Sequence, residues 1–350
     1  NVALSSGGAI FVSSRSQLTI TSCECSNNAA GENGGCLHAR EIVYNGLAIY
    51  DVTMHGNNAT ENGGCISLDK AVKVNILQSQ LLYCNAGRNG GGIFAYESSE
   101  IRLQAATVTH CSASSGGGGY FWDFPPREKP MEEAPFTSQD GTVVEDNVAM
   151  YGPDYASGPF VLMQMTGPGG SSGFEYPGYI ASNTEVGKLQ ETETALIDEP
   201  VSFHVIDFYG QQVTSESELL VSYQAIVARS SKSWVAPYYR SNIHNETLGP
   251  PKDPKLIGVL ERVSRSGIVD FDGLSIRGAP GETYEATVST QALSYVPVKT
   301  VIALRNCTGG ERWTSEGCRK CVAGFYSDAV NTIQCMLCPT GRYSTQSGKV

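Results

Sequence analysis

A glycine-rich mark that returns at nearly constant spacing constrains this chain more than any other feature. It reads Gly7-Gly8-Ala9-Ile10, Gly34-Gly35-Cys36-Leu37, Gly63-Gly64-Cys65-Ile66 and Gly91-Gly92-Ile93, with a degenerate copy at 116–119 before Tyr120. The marks recur roughly every 27 residues, a period that signals a stacked repeat. Just upstream of the marks, or of where a mark is due, stand Asn-Ala signals: Asn1-Val2-Ala3, Asn28-Ala29, Asn58-Ala59, Asn85-Ala86 and Asn147-Val148-Ala149. Between the marks the chain alternates. Leu18 and Ile20 flank Thr19, Val72, Val74 and Ile76 alternate with Lys73 and Asn75, and Ile101 and Leu103 flank Arg102. Alternation with period two buries one face of a strand. A coil of this length holds two or three short strands, cannot bury its apolar face alone, and must stack on its neighbours. The glycine pair then marks a tight corner, where a Cβ would clash or where φ is positive. Asparagine suits the other corner because it tolerates the left-handed region and can stack its amide along successive coils.

These residues resemble the repeats of polymorphic outer-membrane proteins, whose signatures are recurring Asn-x-Ala and Gly-Gly-Ala-Ile. The resemblance covers 1–157 and implies a right-handed parallel β-helix. The segment Asn147-Val148-Ala149-Met150-Tyr151-Gly152-Pro153-Asp154-Tyr155-Ala156-Ser157 is similar to a last copy. Asn1 already stands at the end of a repeat, so the expectation is that the protein extends upstream.

The period breaks after Tyr120. An insertion rich in Pro and aromatics, Phe121-Trp122-Asp123-Phe124-Pro125-Pro126 and onward to about Asp140, reads as a loop on the flank of the helix. Phe121, Trp122 and Phe124 are its candidate contact residues for a partner or neighbouring subunit. Residues 158–199 carry little signal, and Gly167-Pro168-Gly169-Gly170-Ser171-Ser172-Gly173 reads as a linker. Alternation resumes at Val201, Phe203 and Val205, and further short strands punctuated by Gly and Pro suit a β-sandwich over 200–305. Val205-Ile206-Asp207-Phe208-Tyr209-Gly210 resembles the start of bacterial Ig-like and filamin-type modules. The fold class is therefore all-β: a parallel β-helix, an Ig-like sandwich and, over 306–350, a small disulfide-rich module.

The 11 cysteines fall in two groups. Six precede residue 112 (Cys23, Cys25, Cys36, Cys65, Cys84, Cys111) and five follow residue 306 (Cys307, Cys318, Cys321, Cys335, Cys338). Such clusters suit an oxidising, extracellular or cell-surface compartment. In the repeats, Cys36 and Cys65 hold the same place after successive glycine pairs, and Cys84 and Cys111 the same place before successive corners. Equivalent residues on stacked coils lie about 4.8 Å apart, within disulfide range, so Cys36–Cys65 and Cys84–Cys111 bonds are expected. The alternative is a ladder of buried thiols. Cys23 and Cys25 have no assigned partner. In the tail, Cys318-Arg319-Lys320-Cys321 and Cys335-Met336-Leu337-Cys338 have zinc-ribbon spacing, but no other zinc-protein motif surrounds them. Gly324-Phe325-Tyr326-Ser327 and Gly341-Arg342-Tyr343-Ser344 follow the two pairs. This pattern is similar to the cysteine-rich modules of ephrin-receptor and tumour-necrosis-factor-receptor ectodomains. The resemblance implies local pairing, Cys307 with Cys318 and Cys321 with Cys335, and a partner for Cys338 beyond Val350.

A net charge of −11 and the absence of a basic stripe disfavour nucleic acid. No run of about 20 apolar residues would span a membrane. Three acceptor triplets for N-linked glycans begin at Asn58, Asn245 and Asn306, with Asn245 in a Pro-rich loop ranked first for access. Parallel β-helices also host polysaccharide lyases and hydrolases, which need convergent carboxylates. Here Asp51, Asp69, Glu97 and Glu100 occupy different places relative to the marks, and His38, His55, His110, His204 and His244 lack a nearby nucleophile motif. The expectation is a non-catalytic structural or adhesive segment without cofactor, partnered by copies of itself or by other surface proteins. A receptor ectodomain and a carbohydrate-active enzyme are the alternatives.

Overall fold

The computed structural model describes residues 1–13, 16–42, 46–123, 134–165, 195–196, 201–228, 255–272, 274–278, 283–290, 298–303, 306–314, 317–330 and 332–340. The first part is a parallel β-solenoid with three faces. One face is a ladder of two-residue strands, Val2–Ala3, Ala29–Ala30, Asn58–Ala59, Asn85–Ala86 and Ser112–Ala113. The second stacks Ile10–Ser13, Leu37–Arg40, Ile66–Asp69, Ile93–Tyr96, Tyr120–Asp123 and Tyr155–Ser157. The third is the longest and runs from Leu18–Ser26 and Leu47–His55 to Phe136–Gln139 and Val143–Glu145.

Like residues stack because every coil is in register. Ile10, Leu37, Ile66, Ile93 and Tyr120 are successive partners on the second face, and Leu18, Leu47, Val74, Ile101 and Phe136 on the third. These inward columns merge into one core. The alternation read from the sequence is thus the alternation between lumen and solvent. The glycine pair performs two separate jobs. The first glycine takes the left-handed conformation, with φ of 69° at Gly34 and 70° at Gly63. The second lies against the next coil: a Cβ on Gly64 would sit 2.2 Å from the Gly91 carbonyl oxygen. In the fourth coil the pair doing this is Gly90–Gly91, not Gly91–Gly92, because Gly64 N–H bonds Gly90 O and Cys65 N–H bonds Gly92 O. Gly92 therefore stands in the column of Cys36 and Cys65.

The amide ladder also forms. Asn28 Nδ2 donates to Asn57 Oδ1 at 3.1 Å, and Asn62 Nδ2 to Asn33 Oδ1 at 3.1 Å. Non-glycine residues repeat in the left-handed region at matching bends: Asn27, Tyr83, His110 and Asp146 form one such column. A left-handed L-residue costs roughly 1–2 kcal/mol, so only stacking on an identical bend makes the arrangement tolerable.

After Tyr155–Ser157 the pairing turns antiparallel. Pro159–Met165, within the stretch expected to be linker, pairs with Val201–Asp207, which pairs with Ile268–Phe271. Its alternation is weak in sequence, and only the partner strand reveals it. The glycine stretch 167–173 lies outside the described residues. A second sheet joins Glu261–Val263, Leu220–Ala228, Thr283–Ser289 and Val298–Ala303, and a third joins Ala195–Leu196, Ser275–Arg277 and Lys255–Ile257. Phe203 and Phe271 of the first sheet and Tyr223 and Tyr284 of the second share one core. The tail has two short hairpins, Glu311–Thr314 with Gly317–Lys320 and Phe325–Tyr326 with Met336–Leu337.

Four disulfides are present: Cys25–Cys36, Cys65–Cys84, Cys307–Cys318 and Cys321–Cys335. They suit an oxidising, extracellular setting. The tail bonds are those the receptor-module resemblance implies. The Cys36–Cys65 and Cys84–Cys111 bonds expected from stacking do not form. Side chains of one column point the same way into the lumen, so their Cβ vectors run parallel, whereas a disulfide needs them to converge. Convergence occurs across the lumen, between columns, where the bonded Cα pairs are 6.3 and 5.4 Å apart. Cys111 is left as a buried thiol, because its counterpart across the lumen, equivalent to Cys65, is Gly92.

Candidate functional site

The best-built polar site in the described residues lies where the solenoid meets the antiparallel sheets. Asp207 ends its strand buried, with Oδ1 accepting from the N–H groups of Tyr209 and Gln211 at 2.9 and 2.8 Å. Its Oδ2 accepts from Ser157 N at 3.1 Å and Gln211 Nε2 at 3.3 Å. Ser157 returns the link: its Oγ accepts from Phe208 N at 2.8 Å and donates to the Gly158 carbonyl. One carboxylate and one hydroxyl thereby fasten the last solenoid strand to the turn 207–211. Burial pushes the Asp207 carboxyl up to about 6, against the four N–H donors that favour its charged form.

That turn also closes the solenoid. Phe208 enters the solenoid core, with Phe160 and Tyr209 packed beside it. Trp122 is 1% exposed, meets Phe208 edge-on at 5.2 Å between centroids, and donates Nε1–H to the Tyr209 hydroxyl at 3.0 Å. Burial also raises the Tyr209 phenol. This places the predicted contact residues differently. Tyr120–Asp123 continues the second face in register with Ile93–Tyr96, so Trp122 occupies the inward position of Ala95 and Phe121 the position of Phe94. Trp122 fills the lumen, and Phe121 is buried against the antiparallel core. Neither is available as a lateral contact. Phe124 lies outside the described residues. A bulky residue where earlier coils carry Ala39, Leu68 and Ala95 was the available signal that the lumen ends here.

The carboxylates weighed for catalysis face neighbouring coils. Asp69 pairs with Arg40 at 3.4 Å, Glu97 with Lys70 at 3.6 Å and Glu100 with Lys73 at 4.0 Å, while Asp51 accepts from Ser22 Oγ at 2.9 Å. Opposite charges thus follow one another in the columns of Lys70 with Glu97 and of Lys73 with Glu100. His38 is buried, stacks on Phe11 at 5.4 Å, and has its pKa lowered by that burial. His55 and His110 flank the exposed Tyr83 at 5.3 and 4.9 Å. His204 lies in Val201–Asp207, and His244 is outside the described residues. No group of His, Cys, Asp and Glu with metal-binding geometry occurs among the described residues, and none of their helices is long and apolar enough to cross a membrane.

No family model, curated protein or solved structure matches the chain. The reading of its role therefore rests on its own geometry. Val2–Ala3, Ile10–Ser13 and Leu18–Ser26 each end a sheet, with a partner on one side only among the described residues. Val2 is 83% exposed, Leu4 97% and Phe11 55%. Cys23 is an exposed thiol on that edge, and Cys338 a half-buried one in the tail. Of the glycan acceptors, Asn58 and Asn306 are exposed, and Asn245 lies outside the described residues.

Proposed function

We propose that this chain is a non-catalytic structural and adhesive segment of a large extracellular surface or filament-forming protein. It acts by stacking and by lateral contacts with copies of itself or with other surface proteins, as in a cell-surface appendage such as a flagellar hair. The repeat resemblance to polymorphic outer-membrane proteins, the Ig-like phrases and the receptor-like cysteine module belong to the same reading. The observation that carries it is the in-register solenoid, whose inward columns merge into one core and whose lumen is sealed after the last coil by Trp122, Phe208 and Tyr209. The spread of carboxylates into cross-coil ion pairs supports a structural role over a catalytic one.

The test is the association state of the 350-residue chain. Sedimentation velocity over a concentration series, with electron microscopy of the same samples, is expected to show self-association. A monomer at every concentration overturns the proposal.

A further inference from the structure

We infer that Asn58 carries an N-linked glycan and that the solenoid holds its acceptor amide ready for one. The triplet Asn58-Ala59-Thr60 coincides with the strand Asn58–Ala59, where alternate residues face opposite sides. Ala59 is buried in the solenoid, and Asn58 and Thr60 are both exposed. The two residues that define an acceptor therefore share the exposed face, where the Thr60 hydroxyl donates to the Ala30 carbonyl at 3.2 Å. Backbone bonds hold the segment on both sides: Asn58 N–H to Asn28 O at 2.9 Å and Thr60 N–H to Ala30 O at 3.1 Å. The side chain is oriented as well. Asn58 Oδ1 accepts from Asn85 Nδ2 at 2.9 Å, and Asn85 Oδ1 accepts from Ser112 Oγ at 2.7 Å. This outer ladder uses the Asn58 oxygen and leaves its Nδ2, the atom a sugar would join, directed away from the next coil.

Asn306 is exposed but poorer as an acceptor. Its triplet contains Cys307, fully buried in the Cys307–Cys318 bond. At Asn58 the middle residue is a small alanine that any coil of this face would bury. The transfer requires a diphosphate-activated oligosaccharide. A bond forms between Asn58 Nδ2 and the anomeric carbon, the bond from that carbon to the diphosphate oxygen breaks, and the diphosphate leaves with the electron pair. One amide proton passes to a base. The glycan would also keep the Asn-Ala face out of lateral packing, leaving the other two faces for contacts.

The experiment is secretion of the 350-residue chain from cells that perform N-glycosylation, followed by amidase release of glycans in 18O-labelled water and peptide mass mapping. The expected result is conversion of Asn58 to labelled Asp in most molecules. Loss of that label in Thr60→Ala, which leaves the Asn58–Asn85 bond in place, is expected too, and Asn58→Gln should behave alike. A secreted, disulfide-bonded protein with Asn58 at unmodified mass overturns the inference. The outcome is independent of the association test, which reads the oligomeric state and not the mass of the Asn58 peptide.

Discussion

Trp122→Ala should unseat the plug at the closed end of the solenoid. The indole is almost wholly buried, meets Phe208 and Tyr209 edge-on, and gives its one N–H to the Tyr209 hydroxyl. Truncating a buried aromatic of this kind costs about 3–5 kcal/mol through lost burial and the cavity left behind. Losing the indole donor matters less, because Tyr209 also hydrogen-bonds Tyr120. Trp122→Phe, which keeps most of the ring and removes the donor, should cost about 1–2 kcal/mol. Leu4→Ala, at a fully exposed position, should fall within about 0.5 kcal/mol of the parent. The assay is urea unfolding with disulfides intact, followed by far-ultraviolet circular dichroism. Alkylation of the lumenal Cys111 assigns the transition to the solenoid, since that thiol reacts only when the coils open. In a stacked repeat each coil is stabilised by its neighbours, so loosening the end should move the whole solenoid transition. If Trp122→Ala lies within about 1 kcal/mol of the parent, the plug does not seal the lumen and the reasoning fails.

Three further outcomes are expected. Peptide mapping without reduction should recover Cys25–Cys36 and Cys65–Cys84, with Cys111 unmodified by iodoacetamide at neutral pH until denaturant is added, because burial pushes its thiol up to about 11. Gly64→Ala should cost about 3 kcal/mol or more, since its Cβ would meet the next coil's backbone, and Gly324→Ala, with nothing within 4 Å, should cost only the strain of its positive φ. Asp207 predicts a pH dependence. Its folded carboxyl binds a proton near pH 6 and the unfolded one only near 3.8, so stability should rise as pH falls through that window. The gain is at most about 3 kcal/mol, and a profile identical in Asp207→Asn would refute it.

The sequence determined the solenoid and its period. Each rule there acts locally and repeats: Gly34 and Gly63 need a positive φ, Gly35 and Gly64 lie against the next coil, and Leu, Ile and Val alternate with polar residues. The tail disulfides Cys307–Cys318 and Cys321–Cys335 were legible through the resemblance to receptor cysteine-rich modules, which implies local pairing. Which cysteines bond inside the lumen was not legible. Equal spacing places Cys36 with Cys65 and Cys84 with Cys111 in shared columns, but bonding depends on which columns face each other across the lumen, a property of the closed cross-section. The same holds for Trp122. Its neighbours in sequence, Phe121, Phe124 and two prolines, gave it the character of an exposed loop. Register with Ala95 turned it inward, and the turn at Asp207, Phe208 and Tyr209, more than 80 residues later, gave it a buried partner. Local conformation follows from residue type along the chain, whereas the partner across a lumen or at its end is fixed only when distant segments pack.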